Sequence, residues 1–576
     1  MKMKRKLILS LLAMLLPISA WCADGDKFSV TVESITFWFS VLSEDSKTVQ
    51  LFNDNKAAVE NPTTTVTIPS SVENEANTYT VTQIGQRAFQ NVSGVNEIIL
   101  PSTITKLDNN AFQNCSNLQK LEIPAGVTNI GKTVFSNCRN LKTLSVASEN
   151  STYDSRDNCN AIIQTSSNTL IQGCAGTTTI PGSVWTIGQN AFNGLNLTEI
   201  TISDGVQTIE SNAFNSNNIN NLVLPSSISS IAPAAFPNCY INVTITDNAI
   251  YEAIGNCIIE KGSKTLIAAG KNVSAIPEGV ITIGQQAFQN ASSSTLSFSS
   301  TVKQISGRAF QNCKSTTITL NEGLETIQGN AFQQCSNLNS ILIPTTVKSI
   351  GSNAFVDAGK NSNSFTLELP YTLTSIAASS VFGTTNTYPT ISYYVKPAKE
   401  YTSFACPQDV DFSGATGLKA YVASGFDASA KKVSLKEVTS AKAGEGIIIQ
   451  ATAGTKYDLA LATAADNGTN LLVGVTADTA IEPTDGSNTN FLLSDGQFKK
   501  AQAGTLANGK AYLQLPTSAA ARAKSLGITT EGDVTGIINI NLDEEDDGMI
   551  YDLNGRRISE TATKGIYVKN GKKVII

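Results

Sequence analysis

The sequence predicts a mainly β chain: a repeat solenoid with inserted β-hairpins, then a β-sandwich-like domain, then a short C-terminal β-module. Three observations carry this. An Ala-Phe dipeptide, or its Val-Phe variant, recurs with Phe at 89, 112, 135, 192, 214, 236, 288, 310, 332 and 355. Most intervals are 22 or 23 residues, but two are 57 and 52, and both long intervals hold the same extra pattern. Beyond about residue 390 the repeat gives way to short alternating runs separated by Gly, Asp and Asn turns, as expected of an antiparallel sandwich.

The chain begins with a basic segment (Lys2, Lys4, Arg5, Lys6), an apolar run from Leu7 to Leu16, and small residues around Ser19 to Ala23. That order predicts a signal peptide over 1–23, cleaved after Ala20 or Ala23. The apolar run is too short to span a bilayer as a helix. Cys22 suggests a lipid acceptor, but the bulky Trp21 before it argues against one. Residues 24–60 alternate apolar and polar (Phe28, Val30, Val32, Ile35, Phe37, Phe39, Val41) and are expected to cap the first coil, since an open solenoid edge invites pairing with other chains.

The repeat covers 61–389. Five residues before each Phe stands Ile or Leu, and eight before it Val, Ile or Leu. Fixed apolar columns follow if each copy is one coil that buries its hydrophobic side only by stacking on neighbours. The Leu-x-x-Leu-x-Ile segment, as in Leu118 to Ile123, ends in strand-like alternation, and proline closes it at 101, 124, 225 and 344. Cysteine three residues after the Phe (Cys115, Cys138, Cys239, Cys313, Cys335) reads as a buried small hydrophobe in preference to bridges between adjacent coils. Asparagine two residues after it (Asn91, Asn114, Asn137, Asn238, Asn290, Asn312) reads as a turn device satisfying backbone groups.

The insertions lie near 147–179 and 243–275. Tyr153, Cys159 and Ile162-Ile163 before Thr169-Leu170-Ile171 are echoed by Tyr251, Cys257 and Ile258-Ile259 before Thr265-Leu266-Ile267, so each reads as a β-hairpin. Cys159 and Cys174 flank the first, and either bridge across it or stay free. The column seven residues before the Phe is polar in eight copies and apolar only after the insertions, at Trp185 and Ile281. The expectation is that each hairpin folds back over that side chain; the rival reading is that Trp185 is a binding hot spot.

These repeats resemble the BspA-like leucine-rich repeats of surface proteins from Bacteroides-like bacteria and treponemes. The resemblance implies a leucine-rich-repeat solenoid on a cell-surface or secreted protein, in some members an adhesin for host matrix proteins. The domain at 390–528 resembles one that follows such repeats in Bacteroides-like surface proteins. An acidic linker (529–548, with Asp543 to Asp547) precedes a module at 549–576 whose three short strands and Asn-Gly turns are similar to the C-terminal sorting signals of type IX secretion.

Chemistry narrows the function further. With no histidine among 576 residues, histidine-dependent triads and His-ligated zinc are excluded. A net charge of −6 without a basic stripe removes the electrostatic basis of nucleic-acid binding. No cofactor or metal is expected. The expected product is a non-enzymatic, exported binding protein with an extracellular protein or glycan ligand, peripheral to the outer membrane if anchored. Its rivals are a spacer that displays the C-terminal domain and a carboxylate-dependent glycan hydrolase in residues 390–530. Outward-facing strand positions supply the candidate ligand contacts Glu97, Lys120, Glu122 and Glu199, with Trp185 beside the first hairpin.

Overall fold

The computed structural model describes residues 23–52, 58–270, 272–362, 365–373, 381–382, 390–405, 407–520 and 523–530, together with the backbone of four short strands between 550 and 575. The leader, the acidic run at 543–547 and the Asn-Gly turns of the C-terminal module lie outside the described residues. The chain divides into two compact units, residues 1–273 with 279–292, and residues 274–278 with 293–576.

In the first unit, Lys27–Val32 pairs antiparallel with Ile35–Ser43, which pairs antiparallel with Thr48–Leu51. Thr48–Leu51 runs parallel to Asn77–Ile84, the start of the coil stack. Phe37, Phe39, Val49 and Leu51 are fully buried beneath it. Each coil then contributes to two parallel sheets. One contains the longer strands, with Lys120–Ile123 in register between Glu97–Ile99 and Thr143–Val146. The other contains two-residue strands such as Lys106–Leu107 and Asn129–Ile130. The apolar columns five and eight residues before the Phe line the core between the sheets, and Val81, Ile104, Val127, Val184 and Val206 have no exposed surface.

The third side of each coil carries the Phe. Its ring stacks on the next coil's ring: Phe112 on Phe135 at 5.3 Å and 1°, Phe192 on Phe214 at 5.2 Å and 3°, and Phe214 on Phe236 at 5.3 Å and 3°. Two residues per coil flank this ring in left-handed conformation, one two before and one two after the Phe. They run from Arg87 (φ 60°) and Asn91 (φ 67°) to Asn353 (φ 59°) and Asp357 (φ 56°), without exception across the ten copies. The left-handed region disfavours side chains other than glycine and asparagine. The coil adopts it because it turns the loop's N–H groups onto the neighbouring coil, as in Arg87 N to Asn109 O, Phe89 N to Ala111 O and Asn91 N to Gln113 O.

The asparagine column therefore is a turn device, but its amides do not serve the backbone as expected. They bond one another: Asn114 Nδ2 donates to Asn91 Oδ1 at 2.7 Å and Asn137 Nδ2 to Asn114 Oδ1 at 2.8 Å. The cysteine column is buried and unbridged, and its thiols have a further task. Cys115 donates to Phe89 O (3.1 Å), Cys138 to Phe112 O (3.0 Å) and Cys335 to Phe310 O (2.9 Å), each reaching one coil back. Where the column holds Asn217 instead, its Nδ2 makes the same bond to Phe192 O at 2.8 Å.

The insertions are three-stranded: Tyr153–Asp154, Ala161–Gln164 and Thr169–Gly173, then Tyr251–Ile254, Cys257–Glu260 and Thr265–Ala269. Both break register at the Ile-Ile pair. Both are anchored by an asparagine three residues before the tyrosine. Asn150 Nδ2 donates to Pro124 O and Val127 O, and its Oδ1 accepts from Thr152 N and Tyr153 N. Asn248 repeats this with Pro225 O, Ile228 O, Ile250 N and Tyr251 N. On the Phe side the stack continues past each insertion, with Asn137 N bonded to Asn193 O and Tyr240 Oη to Asn290 O. Gly173 has no side chain because a Cβ there would run into the Phe192 ring.

In the second unit the longer strands Thr295–Ser297, Thr317–Thr319, Ser340–Leu342 and Thr366–Pro370 form a parallel run. It does not stop at the repeat boundary. Thr366–Pro370 pairs with Thr390–Val395, which pairs antiparallel with Tyr457–Leu461, so one sheet passes from the coils into the terminal domain. A second sheet of ten strands curls around Tyr421, Val433, Leu435, Phe491, Phe498, Leu513 and Leu526. Its last strand, Ser525–Thr530, ends two residues beyond the expected 528. The C-terminal module has four strands in place of the expected three, because Ile550–Tyr551 pairs back on Arg557–Ile558 within the segment read as one strand.

Candidate binding surface

Alternation in the longer strands turns every second residue outward. Glu97 and Lys120, opposite each other in register, form an ion pair at 3.4 Å. The lysine is mostly exposed, so the pair contributes at most about 1 kcal/mol. Glu122 and Glu199 are exposed, Glu199 just ahead of the strand Ile200–Ile202 in a separate sheet. Trp185 sits on neither of these sheets. It precedes the two-residue strand Thr186–Ile187. The candidate contacts thus fall on three sheets and do not converge on one pocket.

The expectation that each hairpin covers the apolar residue after it is corrected. Trp185 is 53% exposed and Ile281 42%. The last strand of each insertion joins the sheet edge-on, with Thr169 opposite Thr186 and Thr265 opposite Thr282. It occupies the level a preceding coil would have filled, so nothing folds over the column. Ile99, Val223 and Leu342 also protrude from the longer-strand faces. Eight of the ten copies keep this column polar, so the exposure of Trp185 was the one signal a rival sequence reading had captured.

In the second unit the same column carries an ion-pair ladder, with Glu325 bridging Lys348 (2.9 Å) and Lys303 (3.7 Å). Lys348, hydrogen-bonded to that carboxylate, holds it below the usual carboxylate range. The terminal domain offers a groove of about 970 Å³ floored by Phe412, Leu418 and Val438. Its carboxylates are engaged: Glu437 with Lys419 at 3.2 Å, and Glu400 with the amide of Gln450 at 3.3 Å.

Cys159 and Cys174 are free, not bridged. Cys159 packs in the hydrophobic cluster of the later coils, and Cys174 in that of the earlier ones. Burial pushes the Cys159 thiol up to about 11, and those of Cys239 and Cys257 to about 12. Cys313 is the exception, lowered to about 7 chiefly by its hydrogen bond with Cys335. Because the thiolate is the nucleophile, iodoacetamide at pH 8 is expected to leave the buried Cys159, Cys239 and Cys257 unmodified in the folded protein. On unfolding they should react together. Mass spectrometry checks this, and rapid native labelling of Cys239 or Cys257 would contradict the buried stack. Among the described residues, no cluster of three or more Cys, Asp or Glu side chains is placed to hold a metal, and no helix is long and apolar enough to cross a membrane.

Comparison with known proteins yields one family model, described as the BspA type leucine rich repeat region (6 copies), which matches residues 62–169, 167–275 and 270–388. No curated protein matches the chain. Similar solved structures include a leucine rich cell surface protein from Faecalibacterium prausnitzii, 26% identical with a TM-score of 0.40, covering 64% of this chain and 94% of that one. The pneumococcal vaccine antigen PcpA is 17% identical with a TM-score of 0.32, covering 60% and 82%. A leucine-rich repeat protein from Bacteroides ovatus is 21% identical with a TM-score of 0.25, covering 64% and 100%.

Proposed function

For a chain that belongs to the BspA-type leucine-rich repeat family, we propose the role of an exported, cell-surface binding protein, recognising an extracellular protein or glycan through its coil faces. The observation that carries this is the set of apolar side chains, Ile99, Trp185, Val223, Ile281 and Leu342, that protrude from otherwise polar sheet faces. Among them Trp185, 53% exposed, is the residue type most enriched at binding hot spots. The leader-like N-terminus and the sorting-like C-terminus support export. The reading is not enzymatic: the scaffold is a repeat family, and the groove carboxylates Glu437 and Glu400 are engaged by Lys419 and by the Gln450 amide, not set as the acid/base couple a glycosidase uses.

The test is surface plasmon resonance of the full chain over immobilised matrix proteins and host glycans at physiological salt. Saturable binding, weakened when the protruding residues are changed to threonine, is the expected result. Absence of binding to the whole panel by correctly folded protein would sink this reading. One feature favours a second role, display of the terminal domain: the sheet of the last coils continues into that domain through Thr390–Val395, a stiff connection suited to a spacer.

A further inference from the structure

Among the described residues, Trp185 is the one large aromatic with a strongly exposed side chain. It belongs to neither of the hydrophobic clusters that flank the first insertion. Other coils place Thr105, Thr128 or Ser229 at the same column and stack equally well. Its backbone is nevertheless fixed on both sides, the N–H donating to Asn168 O at 2.9 Å and the carbonyl accepting from Gln207 N at 2.9 Å and Thr208 N at 3.1 Å. The indole is thus mounted on a rigid base.

Its neighbours along the column are two amides. Asn168 lies on the hairpin side, in left-handed conformation (φ 50°). Its Oδ1 accepts from Arg156 Nη1 at 2.8 Å, which orients the amide and leaves its Nδ2 donors open. Gln207 lies on the other side, exposed, with its side-chain amide uncommitted. With strands spaced about 4.8 Å apart, the amides bracket the indole across roughly 10 Å. Arg156 is neutralised by Asp154, through Nε at 2.9 Å and Nη2 at 2.6 Å, so the patch carries no net charge. An aromatic face is electron-rich and attracts the polarised C–H face of a sugar ring, while flanking amides serve its hydroxyls. A protein partner asks for more: about 800 Å² on each side with a desolvated core, which one indole among amides on a flat face does not provide.

We propose that Trp185, with Asn168 and Gln207, forms a carbohydrate subsite that stacks a neutral pyranose ring. This rests on the binding-protein reading above and names its ligand class. The experiment applies the full chain, Trp185→Thr and Trp185→Phe to an array of immobilised neutral and sialylated oligosaccharides, with immobilised matrix proteins as a parallel arm. The wild type should bind neutral glycans with a blue shift in tryptophan emission. Trp185→Thr should weaken binding at least tenfold, Trp185→Phe should retain part of it, and both should melt with the wild type. No glycan bound, a preference for sialylated glycans, or a lowered melting temperature in Trp185→Thr would overturn the proposal. Glycan binding that survives Trp185→Thr would overturn it while leaving the binding-protein reading intact. Matrix-protein capture abolished by Trp185→Thr would make the site a protein-docking one and also overturn it.

Discussion

Changing Phe214 to alanine is expected to destabilise the first unit by about 3–5 kcal/mol, the usual range for emptying a buried phenylalanine site. Phe214 has no exposed surface and its ring lies between Phe192 at 5.2 Å and Phe236 at 5.3 Å. Removal therefore severs two aromatic contacts, each worth about 0.5–1.5 kcal/mol beyond burial. The space cannot refill, because the backbone on both sides is pinned by Phe192 N to Ala213 O and Phe214 N to Ala235 O. Stacked repeats open locally as well as globally, so hydrogen exchange resolved along the chain is the appropriate measurement. Protection should fall first across residues 192–236. A loss below about 1 kcal/mol, well under the range quoted, would mean the ring column is not what holds the coils together.

Ending the chain after residue 389 should destabilise the last coils and open their sheet edge. It removes Thr390–Val395 from its parallel partner Thr366–Pro370 and uncovers Leu367, Leu369, Tyr371 and Leu373, all buried in the intact chain. A fully buried aliphatic or aromatic side chain is worth about 1.5–3 kcal/mol. Lost with the domain are the bond from Tyr394 Oη to Ile343 O at 2.6 Å and the ion pairs Lys396–Glu322 at 3.1 Å and Lys456–Glu368. An uncovered parallel edge is a template for intermolecular pairing, so sedimentation velocity should show self-association of the truncated chain under conditions where the full chain stays monodisperse. A monomeric truncation with unchanged melting would show that the coils end in a cap of their own.

How much of this was legible depended on whether a residue's role is set by its own column or by a distant partner. The apolar columns and the Phe spacing were readable because 22-residue periodicity repeats them ten times. The left-handed position two before the Phe was not, since it holds Arg87, Thr133, Ala234 and Arg308 as well as Asn110 and Asn190. There the stack's hydrogen bonds impose the conformation against residue preference. Asn150 and Asn248 were overlooked although the Asn-x-x-Tyr spacing occurs in both insertions. Two of the four bonds each makes reach back to the preceding coil, which no local pattern announces. The reading of Trp185 failed on geometry. A hairpin was assumed to fold over the sheet, whereas its last strand extends the sheet. The passage of the coil sheet into the terminal domain was invisible for a similar reason, because Tyr393 meets Leu459, 66 positions further along the chain.

The two insertions, each tied down by its own Asn-x-x-Tyr anchor while the Phe side runs on, recur as one cassette built into the coil core. Length and decoration are thereby separated in this architecture. Adding coils elongates the scaffold, and placing a cassette at any coil junction resets the exposed column beside it. A plain polar column thereby gains an exposed apolar residue at the coil after each cassette, Trp185 in one case and Ile281 in the other. For protein engineering the same separation leaves the residue after each cassette, Trp185 or Ile281, as the position open to choice.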